Sequence, residues 1–399
     1  MRKYTIIGIT DADNPPLSPE ALAALQRGRV FSGGRRHHEI VRPLLPEHYE
    51  WVDIAPPLDR VFAQYASFPD EIVVFASGDP LFFGFANTIL RRDPGADVRV
   101  LPTFNSLQLL AHRLLLPYHN MRCLSLVGRD WPHLDRALIE RAPLVGVLVD
   151  GRHSPERVAQ RMLDYGYGHY TMAVGERLGG TQERVATLTI EETATRQFAQ
   201  PCCLILQATA DMPPRRFGIP DHEFALLNGR ERMITKMPIR LLALQALDLP
   251  RRHTLWDIGS CTGSVSIEAR LLFPHLRIVA FERRAEGREL METNSRRFGA
   301  PGIEVHIGDF LQADLEPLPR PDAVFIGGHG GHLGEMMQRL NGCMAEGGRV
   351  VLNSVNARSR VDFEQTAARL QWRLLPPNTV ALNDYNPITI LAADVHHSH

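Results

Sequence analysis

Short β-rich runs alternate with helix-forming stretches along nearly the whole chain, and the alternation pauses once, where Asp211 to Pro220 reads DMPPRRFGIP. Apolar runs of strand length, spaced by longer stretches of helical period, restrict the fold to an α/β architecture with largely parallel sheets. Before the pause, YTIIGI, EIVVFAS, DVRVLP, RCLSLVG, LVGVLVD, YTMAVGERL and CCLILQA read as buried strands. Between them, SPEALAALQRG, PLFFGFANTILRR, NSLQLLAHRL and SPERVAQRMLDYG each open on a capping or proline signal and keep helical spacing. After it the pattern restarts, with strands TLWDIG, RIVAFE, IEVHIG, PDAVFIGG and GRVVLNSV among helices PIRLLALQALDL, SVSIEARLLF, EGRELMETNSRRFG and GEMMQRLNGCM. That second series has the order of a doubly wound unit. A proline- and arginine-rich pause suits a linker, and 399 residues suffice for two ordinary cores. The expected division is 1–210, a linker at 211–220, and 221–399.

Composition narrows the partner. Hydrophobic content of 44% with 22% charged residues is that of a globular protein, and a net charge of -1 gives no pull toward nucleic acid or anionic membrane. A small molecule is the expected ligand. Cys123, Cys202, Cys203, Cys261 and Cys343 are odd in number and scattered, without paired spacing for zinc or redox work, so no metal is expected. MRKYTIIGIT lacks the apolar core of a signal peptide and no later run reaches membrane-spanning length, which leads us to expect a cytoplasmic location.

The segment WDIGSCTGSVSIEA sets Gly259 and Gly263 between a strand and a helix, where bare backbone lets a ligand approach and a helix start offers free N–H groups. Glu282 closes the next strand and Asp309 follows the one after. With Asp257, three acids at successive strand ends are expected to converge on one cleft. An adenosine ligand fits this series, Glu282 accepting from two ribose hydroxyls. NAD brings a pyrophosphate and usually a G-x-G-x-x-G spacing, whereas acidic walls suit a sulfonium and an ammonium, which favours S-adenosyl-L-methionine.

GIPDHEF, MITK, WDIGSCTGSVSIEA, FIGGHGG and GGRVVLNSV, in that order from Gly218 to Val355, resemble the methyltransferase and decarboxylase half of the bifunctional precorrin C5,15-methyltransferases, corrin-ring enzymes of cobalamin biosynthesis. The resemblance implies a Rossmann-like methyltransferase domain with an S-adenosylmethionine pocket formed by Thr235, by Gly259, Ser260, Cys261, Thr262 and Gly263, by Glu282 and by Phe310, to which the strand-end position adds Asp309. Cys261 stands where the family usually has a glycine, so a side chain must fit where the backbone normally runs bare. The loop FIGGHGGHLGEM supplies Gly327, Gly328, Gly330 and Gly331, suited to a flat tetrapyrrole sliding over bare backbone. Its His329 and His332 are the first candidates for a proton donor in decarboxylation.

FASGDPLFFGFA, with VFSGGRRHHEI before it and FNSLQLLAHRL, LSLVGR and GERLGGTQERV after it, resembles the first half of the same enzymes, which belongs to the tetrapyrrole methylases. These bind S-adenosylmethionine between two α/β subdomains, and the matching positions here are Gly8, Gly78, Asp79, Asn105 and Ser106. Two segments depart from the pattern: GITDADNPP lacks the usual Gly-Pro-Gly, and TFNS brings a bulky Phe104 to the expected cofactor site. Arg35, Arg36 and Arg129 follow glycines at strand-to-helix junctions and have the fork geometry to pair with substrate carboxylates. His37 and His38 read as exposed helix histidines, and the tail VHHSH as disordered.

The resemblance implies two methyl transfers, at C5 and C15 of the macrocycle, with loss of carbon dioxide from the C12 acetate; a homo-oligomer is expected besides. A neutral leaving group and an electron-rich ring carbon need in-line approach and a dry site rather than a nucleophilic side chain. An RNA or protein methyltransferase would call for a basic stripe with stacking aromatics, which 7% aromatic content does not favour. A degenerate S-adenosylmethionine-binding protein would bind without turnover.

Overall fold

The structure is a computed structural model that describes residues 2–69, 71–229, 233–382 and 386–397. Two compact units divide the chain: Met1–Asp130 with Ala142–Arg161 and Gly168–Ala210, and Asp211–His399 with Trp131–Arg141 and Met162–Tyr167. Among the described residues no helix is long and apolar enough to cross a membrane.

In the first unit one sheet runs Glu50–Asp53, Val30–Gly33, Ile72–Ser77, Lys3–Ile9, Asp97–Leu101, every pair parallel. Alternate residues feed opposite faces, as the strand period requires: Ile6 and Val74 pack with Val61, Tyr65 and Ile89, while Ile7, Val73 and Phe75 pack with Ala24, Leu25 and Val41. A second sheet runs Arg122–Ser125, Leu144–Leu148, Cys202–Ala208, Tyr170–Glu176, Arg184–Thr189. Only its first pair is parallel, unlike the largely parallel sheet the alternation suggests. For its last pair the reason is local, because Arg177 to Glu183 is too short a connection for a crossover, while Cys202–Ala208 inserts antiparallel between two strands distant in sequence.

The second unit holds one sheet in the order Ile303–Ile307, Arg277–Glu282, Thr254–Ile258, Ala323–Ile326, Arg349–Ser354, Ile388–Asp394, Arg373–Leu374. The first five strands are parallel and Ile388–Asp394 is antiparallel. Arg349 and Arg373 both pair with Asp394, fixing that edge. Strand order reverses at Thr254–Ile258, whose two neighbours continue the chain in opposite directions across the sheet, and the crevice outside such a reversal is where α/β sheets take ligands.

Several elements form where the sequence shows no alternation, among them helices Leu58–Ser67, Pro132–Ile139 and Ala357–Arg369. PLFFGFANTILRR becomes helical only from Ala86. The tail is ordered further than expected: Val395 is fully buried, His396 and His397 both bond to Glu346, and Ser398 and His399 lie outside the described residues.

Candidate functional site

In the second unit the parallel strand ends are stitched together by backbone. Gly259 and Ser260 donate to Phe281 O at 2.9 and 3.1 Å, Gly327 to Ile258 O at 2.8 Å, and Gly308 to Glu282 O at 2.9 Å. These bonds hold three turns around a cavity of about 1050 Å³. Thr235, Gly259, Cys261, Glu282, Asp309, Phe310, Gly327, Gly328, His329, Gly330 and His332 line it, so the turn, the two following strand ends and the glycine loop meet in one place. Ser260, Thr262, Gly263 and Gly331 do not line it. Ser260 Oγ instead donates to Phe281 O at 3.3 Å, and Thr262 O accepts from Asn294 Nδ2 at 2.9 Å.

Glu282 is buried, and its two oxygens are separately engaged: Oε2 accepts from Cys261 N at 2.8 Å, and Oε1 from Arg284 N at 2.9 Å and from Arg284 Nη1 at 3.2 Å. Oε1 has both of its acceptor positions filled, whereas Oε2 keeps a further lone pair for a ligand. Asp309 Oδ1 accepts from Leu311 N at 3.0 Å, which turns the chain so that Phe310 enters the core beside Trp256 and Phe281. Asp257 does not join these acids. Its side chain faces the helix Ser264–Leu272, where Oδ2 accepts from Ser266 N at 3.2 Å and Ser266 Oγ at 2.6 Å. The N-cap, Gly263, has no side chain to cap that helix, and Asp257 supplies the missing acceptor from the strand. The walls are also less acidic than the sequence suggests, because Lys236, Arg283 and Arg284 line the same cavity. Arg283 and Arg284 follow Glu282 directly, a position from which a strand-end side chain can be anticipated. Asn353 and Asn386 line it as well, without a signal that marks them in the sequence.

The two loop histidines differ. His329 Nδ1 accepts from Gly331 N at 3.2 Å and Nε2 meets Ser359 Oγ at 3.0 Å, so both ring nitrogens are engaged, and burial holds its pKa below the usual histidine value. His332 is half exposed, with Nδ1 2.9 Å from Glu335 Oε1.

A second cavity, of about 440 Å³, lies in the first unit. Gly78, Asn105, Ser106 and Arg36 line it, together with Phe104, which packs edge-on against His112. Asn105 caps the helix Ser106–Arg113 in a reciprocal pair with Gln108, each accepting from the other's backbone at 3.0 Å. Gly8 and Asp79 stand behind this lining. A Cβ on Gly8 would fall 1.9 Å from Gly78 O, so Gly8 serves the close approach of the two turns, and Asp79 Oδ1 accepts from Leu81 N at 2.9 Å. Arg35 pairs with Glu39 in solvent and Arg129 lies over the Phe83 ring, neither of them lining the cavity. His37 and His38 are not the exposed pair expected: His38 stacks on Trp51 with centroids 3.9 Å apart, and His37 lines the cavity.

A family model described as tetrapyrrole (corrin/porphyrin) methylases matches residues 3–194, and one described as a precorrin methyltransferase domain matches residues 228–379. A decarboxylating precorrin-6Y C(5,15)-methyltransferase of Sinorhizobium sp is 32% identical over 373 residues, 93% of this chain and 89% of the relative. A decarboxylating cobalt-precorrin-6B C(15)-methyltransferase of Salmonella typhimurium is 40% identical over 129 residues, 32% of this chain and 66% of that protein. A cobalt-precorrin-7 C(5)-methyltransferase of the same organism is 27% identical over 187 residues, 47% of this chain and 90% of that protein. Identity along nearly the whole chain, with both family models arranged on it in succession, means that this protein belongs to the decarboxylating precorrin-6Y C(5,15)-methyltransferases.

Proposed function

We propose that the first unit methylates precorrin-6Y, or its cobalt form, at C5, that the second methylates it at C15 and removes the C12 acetate carboxyl, and that S-adenosyl-L-methionine serves both. The observation that carries this reading is the crevice at the strand reversal of the second unit, where Gly259 lies against Gly328 and a Cβ on Gly259 would stand 2.7 Å from Gly328 N. That approach brings the turn and the glycine loop together, and the bare backbone of Gly328, beside which a Cβ would meet no described atom within 4 Å, is left facing the cavity for a ligand. S-adenosylmethionine supplies an electrophilic methyl group when bound there.

Glu282 Oε2, bonded only to Cys261 N, accepts one ribose hydroxyl, and Oε1 accepts the other once the half-exposed Arg284 side chain releases it. Ile258, Phe281, Phe310 and Met336 line the cavity with apolar surface and exclude water from the reacting centre. Gly327, Gly328 and Gly330 give the broad tetrapyrrole a wall without side chains. In decarboxylation the bond between the acetate methylene and its carboxyl breaks, carbon dioxide leaves, the conjugated ring takes the electron pair, and a proton then converts the methylene to methyl. His332 suits that delivery better than His329, because both nitrogens of His329 are engaged within the loop and with Ser359. In the first unit, Gly78, Asn105 and Ser106 hold the cofactor and Arg36 faces the substrate. The substrate is small and the enzyme is proposed to act in the cytoplasm as a homo-oligomer.

Incubation with labelled S-adenosylmethionine and precorrin-6Y, or its cobalt counterpart, followed by mass analysis, tests the reading. Two added methyl groups and one lost carbon dioxide are expected, and no mass change with folded protein would reject it.

A further inference from the structure

Ser77 and His37 of the first unit have no part in the methyl transfer as described, and they form a small network with Arg36. Ser77 ends the strand Ile72–Ser77, is exposed, and lines the cavity. Its Oγ lies 2.9 Å from His37 Nε2 and 3.2 Å from Arg36 Nη2. Arg36 Nε in turn sits 3.0 Å from Asp11 Oδ1, which holds the guanidinium in place.

The direction of each hydrogen bond follows from the groups. A guanidinium only donates, so Arg36 gives a hydrogen to Ser77 Oγ. His37 Nδ1 accepts from Gly34 N at 3.3 Å, and a neutral imidazole whose Nδ1 accepts carries its hydrogen on Nε2. Burial beside Arg36 lowers the His37 pKa to about 4, so the ring is neutral at physiological pH and donates from Nε2 to Ser77. A hydroxyl has two acceptor positions and one hydrogen. Both acceptor positions of Ser77 are filled, and its hydrogen is the one valence left, at the cavity wall.

We infer that Ser77 donates a hydrogen bond to a ligand carboxylate in the first-unit cavity, and that His37 and Arg36 are positioning residues that hold it to that role. A carboxylate is the acceptor that matches a hydroxyl donor set beside a guanidinium. Two ligands bring one: the acetate and propionate side chains of the tetrapyrrole, and the amino-acid end of S-adenosylmethionine. The inference rests on the C5 methylation proposed above.

The test uses the full chain and steady-state C5 methyl transfer, with C15 transfer in the same preparation as the control for folding. Ser77→Ala is expected to raise KM for the tetrapyrrole about tenfold, the loss of one charge-assisted bond, with KM for S-adenosylmethionine within about twofold and C15 transfer unchanged. Ser77→Thr, which keeps the hydroxyl, restores the wild-type KM. His37→Ala gives a smaller rise, and His37→Gln, which puts an amide N–H near the place of Nε2, reverses it. A rise confined to KM for S-adenosylmethionine supports the donor and assigns it to the cofactor's carboxylate. No rise in either KM, or a His37→Gln variant no better than His37→Ala, overturns the inference. Should the wild type show no C5 transfer, the functional reading fails by itself. Calorimetric titration of precorrin-6Y and of S-adenosylmethionine into wild type and Ser77→Ala then decides the donor, equal affinities for both ligands rejecting it.

Discussion

Gly259 and Gly328 pass backbone to backbone: a Cβ on Gly259 would lie 2.7 Å from Gly328 N and 2.9 Å from its carbonyl oxygen. The contact is one-sided, because a Cβ on Gly328 meets nothing within 4 Å among the described residues. Gly259 also has φ of +77°, which disfavours any other residue. Gly259→Ala is therefore expected to cost about 2–4 kcal/mol, overpacking added to backbone strain, and to abolish C15 methylation while C5 methylation continues. Gly328→Ala is expected to fold with wild-type stability. Denaturant titrations of the two variants check the asymmetry, and equal losses of stability would contradict it.

Cys261 takes the turn's left-handed position, with φ of +49°, and its N–H still reaches Glu282. The residue thus meets the turn's geometric demand at a cost of roughly 1 kcal/mol, which glycine would not incur. Cys261→Gly is expected to retain C15 methylation and to lose no more than about 1 kcal/mol of stability, relief of strain offsetting the lost buried side chain. Burial and the nearby Glu282 raise the Cys261 thiol pKa, so the native protein should resist iodoacetamide at pH 8 at this position. Peptide mass mapping after alkylation reads that outcome, and rapid labelling of Cys261 would count against it.

Much of this site is visible in the sequence because its positions are set by strand ends. Glu282, Asp309 and the Gly327 loop each follow a run of apolar residues, and parallel strands in register bring such ends to one edge. Asp257 misleads for the same reason: it lies one residue inside its strand, and a shift of one reverses the face a side chain takes. The antiparallel second sheet and the antiparallel edge strand Ile388–Asp394 depend on pairing between distant segments, which apolar runs alone do not specify. His37 reads as an exposed helix histidine, and the approach of Ser77 from a strand distant in sequence is what places it in one network with Arg36.

Arg240 and Glu268 form an ion pair at 3.1 Å with both side chains essentially inaccessible, at 0% and 1% exposure. Arg240 also donates to Thr235 O at 2.8 Å, and Glu268 Oε2 accepts from Ile219 N at 3.0 Å, so the pair ties the GIPDHEF and MITK segments to the helix that follows the glycine turn. Arg240 also pairs with the partly buried Asp221 at 3.3 Å, so removing Glu268 leaves the guanidinium buried with that one weaker partner. Glu268→Ala is expected to lose about 2–4 kcal/mol of stability, somewhat less than a fully unmatched buried charge would cost. A Glu268→Ala, Arg240→Met double variant should recover part of that loss, as measured by denaturant unfolding, and a double variant less stable than the single one would refute the coupling.

Asp257 gives the second unit a distinctive pH dependence. The carboxyl is 1% exposed, Oδ1 has no hydrogen-bond partner among the described residues, and burial with the nearby Glu282 raises its pKa from 3.8 to about 6, against the opposing bonds from Ser266. With the folded pKa above the unfolded one, the folded chain binds more protons between those two values, so this group's contribution to stability declines as pH rises from about 4 to about 6 and is level beyond. The shift corresponds to about 3 kcal/mol at neutral pH. Asp257→Asn keeps an oxygen for Ser266 and cannot ionise, so its stability relative to wild type should increase over that pH interval and then hold steady. Urea unfolding at half-unit steps between pH 4 and 8 measures the difference, and parallel curves for the two proteins would show that Asp257 is not held at a raised pKa.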